Sequence, residues 1–355
     1  MRFVLLLPLA AACLGAAPAP APLPVHVGGR TMDQAGGALG FGWPGIYFES
    51  RFRGTSITVR LDAPADHLRL LVDGEEKLLF KGPGPVETTL RGLSDGDHVA
   101  RLEKLTETQS GGSSFRGFFP GRGTRALPTR PRTRAIEFIG DSYTVGYGNT
   151  STTRQCTPKE IHERTDTQQA FGALVAKRID ADYRIFAYSG FGIVRNYAGG
   201  VPALSLPAIY SRARPSDGAP SAAADGAWRP QLIVINLGTN DFSTPLKPGE
   251  RWADQAALRT AWRAAYVEFV RKLRLRHPQA RFILMGSDAF FGEVRQVADT
   301  LGGGVTAIRF DGLDLGGCDW HPSLADHRRL AELVADTAEQ LHVWPGKVRQ
   351  AAPAS

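Results

Sequence analysis

The feature that most constrains this chain is a change of pattern near residue 130. After Arg134, short apolar runs alternate with segments whose apolar residues recur at helical spacing. That alternation is the signature of a parallel sheet covered by helices. The first run, Ala135-Ile136-Glu137-Phe138-Ile139, leads directly into Gly140-Asp141-Ser142-Tyr143-Thr144. Three further polar clusters follow in order. Tyr188-Ser189-Gly190-Phe191-Gly192 comes after the apolar residues 184–187, and Ile235-Asn236-Leu237-Gly238-Thr239-Asn240-Asp241 after 231–234. The last, Cys318-Asp319-Trp320-His321-Pro322-Ser323, stands just before a C-terminal helical stripe. In an open parallel sheet the carboxyl ends of the strands face one crevice, so the four clusters are expected to converge there.

The chemistry these residues permit is acyl transfer. Ser142, delivered by a strand into a Gly-flanked turn, is the candidate nucleophile. Its surroundings are not Gly-x-Ser-x-Gly, so the nucleophile elbow of the α/β-hydrolases is not indicated. Taken alone, the turn also reads as an ordinary loop in which Asp141 and Ser142 cap backbone groups. A neutral serine hydroxyl needs an adjacent base, and His321, with an ordinary pKa of about 6.5, supplies one. A tetrahedral intermediate needs fixed donors around its oxyanion. The backbone N–H groups of Ser142 and Gly190 and the side-chain amide of Asn240 are the three expected.

Helices are expected over residues 167–179, 254–277, 290–301 and 323–342, with Pro322 at the first position of the last. The second carries Trp262, Tyr266, Phe269, Val270 and Leu273 on one stripe, read as core. Strands near 282–285 and 306–310 complete a sheet of about five. Residues 211–228, rich in Ala, Pro, Ser and Asp, read as a surface loop.

Upstream, residues 25–130 hold short alternating runs at 45–52, 56–61, 67–72, 86–90 and 98–104, separated by Asp73-Gly74, Pro83-Gly84-Pro85 and Ser94-Asp95-Gly96-Asp97. No long helical pattern interrupts them, which predicts an antiparallel sandwich of jelly-roll type. Before it, Met1-Arg2, an apolar run from Phe3 to Leu14 and the small residues beyond read as a secretory signal, cleaved between Ala12 and Ala21. Cys13 lacks the leucine that usually opens a lipobox, so no lipid anchor is expected. Removing the signal leaves Cys156 and Cys318, and two cysteines in an exported chain most simply form one disulfide. Neither has paired Cys or His neighbours at zinc spacing. The net charge of +7 draws on Arg116, Arg122, Arg125, Arg130, Arg132 and Arg134, a segment read as linker and interdomain surface rather than a nucleic-acid stripe.

The four clusters resemble the conserved blocks of the SGNH (GDSL-type) hydrolases, named for a Ser, a Gly, an Asn and a His. Ser142, Gly190, Asn240 and His321 match these in order, and the resemblance covers residues 134 to 344. One departure matters: the superfamily usually has an aspartate three residues before the histidine, where this chain has Cys318, and Asp319 stands two before. Either Asp319 orients His321 from a shifted backbone, or a main-chain carbonyl takes the Nδ1 proton and leaves a Ser-His dyad. Asp319 also reads as a helix N-terminal carboxylate.

With the jelly roll in front, Gly140-Asp141-Ser142-Tyr143-Thr144-Val145-Gly146-Tyr147-Gly148-Asn149 and Cys318-Asp319-Trp320-His321-Pro322 resemble the family 2 carbohydrate esterases. These are acetyl esterases of acetylated plant polysaccharides or their fragments, and the Asp-Trp-His spacing is consistent with that group. The resemblance implies a sugar-stacking role for Trp320, a core tryptophan being the alternative. The expected organisation is a signal and Pro/Ala-rich segment over 1–24, a β-sandwich over 25–130 and an α/β SGNH domain over 131–347. The expected protein is a periplasmic or secreted monomer acting on acetylated xylan, glucomannan or their oligosaccharides. It is expected to need no cofactor or metal, to bind no nucleic acid and to carry no membrane anchor. The alternatives are a peptidoglycan, lipid or short-chain esterase, and a carbohydrate-binding protein with weak activity.

Overall fold

The computed structural model describes residues 21–218 and 227–344. The expected signal segment with Cys13 lies outside them, as do residues 219–226 of the expected surface loop. No described helix is long and apolar enough to cross a membrane.

The first part of the chain is a two-sheet antiparallel sandwich. One sheet runs in the order His26–Gly28, Tyr47–Arg53, Asp97–Lys104, His67–Val72, Glu75–Lys81, with Arg125–Leu127 also on Tyr47–Arg53. The other runs Met32–Asp33, Leu39–Phe41, Ser113–Pro120, Ser56–Ala63, Gly84–Arg91. Alternate residues point inward and close a core of Phe48, Ile57, Val59, Leu61, Leu70 and Phe115. Six strands lie outside the sequence pattern, and the two long ones among them, Glu75–Lys81 and Ser113–Pro120, show why. Glu75–Lys81 is an edge strand that buries only Phe80, so its composition is charged. In Ser113–Pro120 the register slips between Phe115 and Gly117, which interrupts the alternation.

The second part is a five-stranded parallel sheet in the order Ala181–Ala187, Arg134–Gly140, Leu232–Asn236, Arg281–Ser287, Val305–Phe310. Its strands are apolar on both faces because helices cover both. Ile139, Ile233, Ile235, Phe282 and Leu284 pack on one side with the helices Gln255–Arg276 and Phe291–Leu301. Ile136, Phe138, Val234, Ile283 and Met285 pack on the other with Phe171–Arg178 and Leu324–Gln340. Helix Gln255–Arg276 starts where Asp254 accepts the Ala257 N–H and buries the expected aromatic stripe. The first strand lies between the second and third, so the chain reverses its direction of winding there. Such a switch point opens a crevice at the carboxyl ends of the strands.

Two expectations need correcting. Residues 167–179 are not one helix: Thr167–Gln169 is a separate turn, broken from Phe171–Arg178 at extended Ala170. The cause is the sandwich, since Leu105 O accepts both Thr167 N–H and its hydroxyl, and Gln168 donates to Gly45 O. Pro322 is not the first helical residue either. Ser323 is the N-cap, and its hydroxyl and the Asp326 carboxylate form a capping box.

The two parts share their cores. Trp43 of the sandwich is buried in the hydrolase-side cluster, edge-on to Phe186 at 5.3 Å, with its indole N–H on Arg212 O at 3.0 Å. Tyr47 packs on Tyr183 and donates to Asp182 Oδ1 at 2.7 Å. Around them Arg132 pairs with both Glu49 and Asp182, and Arg101 with Glu49 and Glu103.

Candidate active site

The parallel register brings Gly140, Ala187 and Asn236 level across three adjacent strands. The polar clusters begin from these points. Gly140 has no room for a side chain: a Cβ there would lie 1.9 Å from Thr144 Oγ1 and 3.0 Å from Asn236 O. The close turn it permits leads into the short helix Ser142–Val145, whose N-cap is Asp141, accepting the Tyr143 N–H at 3.0 Å. Burial pushes the Asp141 carboxyl up to about 7, and the nearby Asp241 carboxylate adds to the shift.

Ser142 and His321 are brought together. Ser142 Oγ lies 2.9 Å from His321 Nε2. The other ring nitrogen, Nδ1, faces two main-chain oxygens, Cys318 O at 3.0 Å and Asp319 O at 3.1 Å. Those acceptors assign the proton to Nδ1, which leaves the Nε2 lone pair to take the serine proton. The ring lies between Tyr143 and Tyr147, with centroids at 5.6 Å and 4.3 Å. Burial holds the His321 pKa below its ordinary 6.5, opposed by the two carbonyls and by the Asp319 charge.

Of the two arrangements the sequence left open, the geometry has the main-chain carbonyls, not the Asp319 carboxylate, at His321 Nδ1. Asp319 Oδ2 instead accepts the Tyr147 hydroxyl at 3.3 Å. The physical reason is the backbone, because Asp319 (φ 50°) and Trp320 (φ 57°) are both left-handed. That conformation points the carbonyls, not the carboxylate, at Nδ1. Two successive non-glycine residues there cost about 1–2 kcal/mol each, strain of the kind that gathers at functional sites. The same turn pushes the Trp320 ring out, leaving it 59% exposed, so it is not a core residue.

The loop 148–156 holds this turn. Gly148 O accepts the Cys318 N–H at 3.3 Å, Arg154 O accepts the Asp319 N–H at 2.7 Å, and Arg154 donates to Asp314 O and Leu315 O. Cys156 and Cys318 are joined as a disulfide with S–S 2.04 Å.

Of the three expected oxyanion donors, Gly190 and Ser142 have N–H groups with no protein acceptor among the described residues. Gly190 adopts φ +83°, and the space where a Cβ would stand is open. Asn240 differs: its amide donates to Phe191 O at 2.9 Å and to Asp141 Oδ2 at 3.2 Å. Sequence reasoning missed Asp241 beside it. The buried Asp241 carboxylate accepts the N–H groups of Ile193, Val194 and Arg195, tying the Gly190 loop to the Asn240 loop. Buried Arg195 adds an ion pair with Glu250 at 2.6 Å. Asp241 was visible as part of the Asn-Asp pair and Tyr147 as part of the Gly140–Asn149 run, though without a role; nothing near Arg195 in sequence marked it. No group of three or more described His, Cys, Asp or Glu residues is arranged to hold a metal ion.

Comparisons with known proteins identify the family. Residues 27–129 match the carbohydrate esterase 2 N-terminal family, and residues 138–345 the GDSL-like lipase/acylhydrolase family. An acetylxylan esterase / glucomannan deacetylase of Cellvibrio japonicus (strain Ueda107) is 44% identical over 339 residues, covering 92% of this chain and 94% of that protein. Among solved structures, a carbohydrate esterase whose active site displays divergent catalytic and non-catalytic binding functions superposes with TM-score 0.84 at 43% identity. It covers 90% of this chain and 98% of its own. A family two carbohydrate esterase from Clostridium thermocellum, in complex with cellohexaose, gives TM-score 0.78 at 28% identity, covering 90% and 100%.

Proposed function

We propose, since the chain belongs to the family 2 carbohydrate esterases and is a carboxylic-ester hydrolase, that it is an exported enzyme removing O-acetyl groups from carbohydrates such as acetylated xylan, glucomannan or their oligosaccharides. The observation that carries the reading is the 2.9 Å contact between Ser142 Oγ and His321 Nε2, with main-chain carbonyls behind Nδ1.

The steps follow from that contact. His321 Nε2 takes the Ser142 proton as Oγ attacks the acetyl carbonyl carbon. The negative charge collects on the carbonyl oxygen, within reach of the Ser142 and Gly190 N–H groups. The longer Asn240–Asp141 contact is the one an oxyanion replaces, so Asn240 gives the third bond only as charge develops. The imidazolium returns its proton to the sugar oxygen, which leaves as the free hydroxyl. Water, deprotonated by the same nitrogen, then attacks the acetyl-serine and releases acetate. The imidazolium is stabilised by the carbonyls of Cys318 and Asp319 and, at longer range, by the Asp319 charge.

The substrate side rests on the rim. Trp320 and Tyr197 are exposed aromatic rings next to the catalytic histidine and to the Gly190 turn, where Tyr197 N–H bonds Gly190 O at 2.8 Å. Flat exposed rings suit the apolar faces of sugars. Export is supported by the leader-like first residues and by the disulfide. The test is acetate release from acetylated xylan, acetylated glucomannan and acetylated peptidoglycan, with p-nitrophenol release from p-nitrophenyl esters of increasing chain length. The plant-polysaccharide substrates and the acetyl ester are expected to lead. Preference for long acyl chains or for peptidoglycan overturns the substrate assignment.

A further inference from the structure

Residues 105–112 leave the sandwich strand Asp97–Lys104 and cross to the catalytic side. Both ends of this segment are fixed by one buried cluster. Lys104 Nζ and Asp66 Oδ1 pair at 2.7 Å with neither side chain accessible, and Asp66 also accepts the hydroxyls of Thr108 and Ser113. Satisfied on all sides, such a pair holds its surroundings in one arrangement. Between those ends, three hydrogen bonds reach the residues just before Gly190. Glu107 Oε1 accepts the Ser189 N–H at 2.8 Å, Gln109 Nε2 donates to Ser189 O at 3.0 Å, and the Tyr188 hydroxyl donates to Gln109 O at 3.2 Å. Glu107 also accepts from Gln109 Nε2 at 3.3 Å, which orients the Gln109 amide.

The Ser189 carbonyl and the Gly190 N–H belong to one planar trans peptide and point in opposite directions. Gripping Ser189 by its carbonyl on one side therefore aims the Gly190 N–H on the other. Glu107 holds the preceding N–H, so the peptide cannot swing about Ser189. Gly190 itself has no Cβ to restrict it, and the aim has to come from its neighbours.

We infer that Glu107, acting with Gln109, is a positioning residue for the esterase reaction: the sandwich domain sets the direction of the Gly190 oxyanion donor. This rests on the serine-esterase reading of Ser142. The sandwich is then a working part of the active site and not only a neighbour of it.

The test compares variants that separate reach from charge, using p-nitrophenyl acetate with the full-length protein. Glu107→Asp keeps the charge but retracts the acceptor by one methylene. Glu107→Gln loses the charge but keeps an oxygen in place. Aiming by geometry predicts that Glu107→Asp and Gln109→Ala lower kcat by roughly tenfold or more with KM within about twofold, while Glu107→Gln stays within about threefold of wild type. Gln109 is exposed, so Gln109→Ala keeps the test valid if Glu107→Asp folds poorly. Loss confined to KM, wild-type kcat in Glu107→Asp and Gln109→Ala, or failure of Glu107→Gln to preserve kcat overturns the inference alone. No turnover by the wild-type chain overturns the functional reading and this one with it.

Discussion

At the scale of single residues, the decisive atoms are the two carbonyls behind His321. A carboxylate that fixes the tautomer of a catalytic histidine is worth on the order of 10⁴ in kcat. Here Cys318 O and Asp319 O occupy that place, and the Asp319 carboxylate acts only at a distance. Asp319→Ala is therefore expected to lower kcat by no more than about tenfold, measured on p-nitrophenyl acetate. A loss of several thousandfold would mean that the carboxylate swings onto Nδ1 during turnover. The pH profile follows from the same ring. His321 must be neutral to act, and burial lowers its pKa below 6.5. Activity is thus retained as the pH falls to 6.5 and is lost only below it, as the folded-state pKa is crossed. The sign for stability agrees: the unfolded chain takes up that proton more readily, so the fold loses stability on the acid side. An acid limb of kcat/KM centred above 6.5 would contradict the assignment.

At the scale of elements, the turn that presents His321 is held by the loop 148–156 and the Cys156–Cys318 bridge. The bridge closes 162 residues of chain, which the chain-entropy view puts at about 5 kcal/mol, with measured bridges often giving less. Cys318 also supplies one of the two carbonyls on Nδ1, so the bridge bears on catalysis as well as on stability. Cys156→Ser/Cys318→Ser is expected to lower both Tm and kcat, with calorimetry and ester turnover as the readouts. A fall in Tm with kcat unchanged would confine the bridge to stability.

This element also shows where sequence stops being legible. The helix Gln255–Arg276 was readable because its aromatic stripe is a local signal. The meeting of Ser142 with His321 was readable as order and context. The left-handed pair at Asp319 and Trp320 was not, since neither residue type announces φ above zero. The break at Ala170 and the contact of Glu107 with Ser189 were also invisible, because both depend on packing between segments far apart in sequence.

At the scale of the whole molecule, the sandwich and the parallel sheet share buried side chains. Trp43 and Tyr47 come from one and sit in the cores of the other. Their separate unfolding would expose those rings and leave the Arg132, Glu49 and Asp182 network unpaired. Calorimetry should show one cooperative transition, and Trp43→Ala should destabilise it as a whole by about 3–5 kcal/mol. Two resolved transitions, with Trp43→Ala moving only the first, would show that the parts are independent. The shared core also keeps the segment bearing Glu107 and Gln109 in place against Ser189.

The most direct measurement is acetate release from acetylated xylan or glucomannan by the wild-type protein and by Ser142→Ala, with circular dichroism to establish that both are folded. A Ser142–His321 dyad predicts steady release by the wild type and a loss of at least about 10³-fold in the variant, since no other hydroxyl lies on His321 Nε2 among the described residues. A folded Ser142→Ala protein that keeps near wild-type turnover would contradict it.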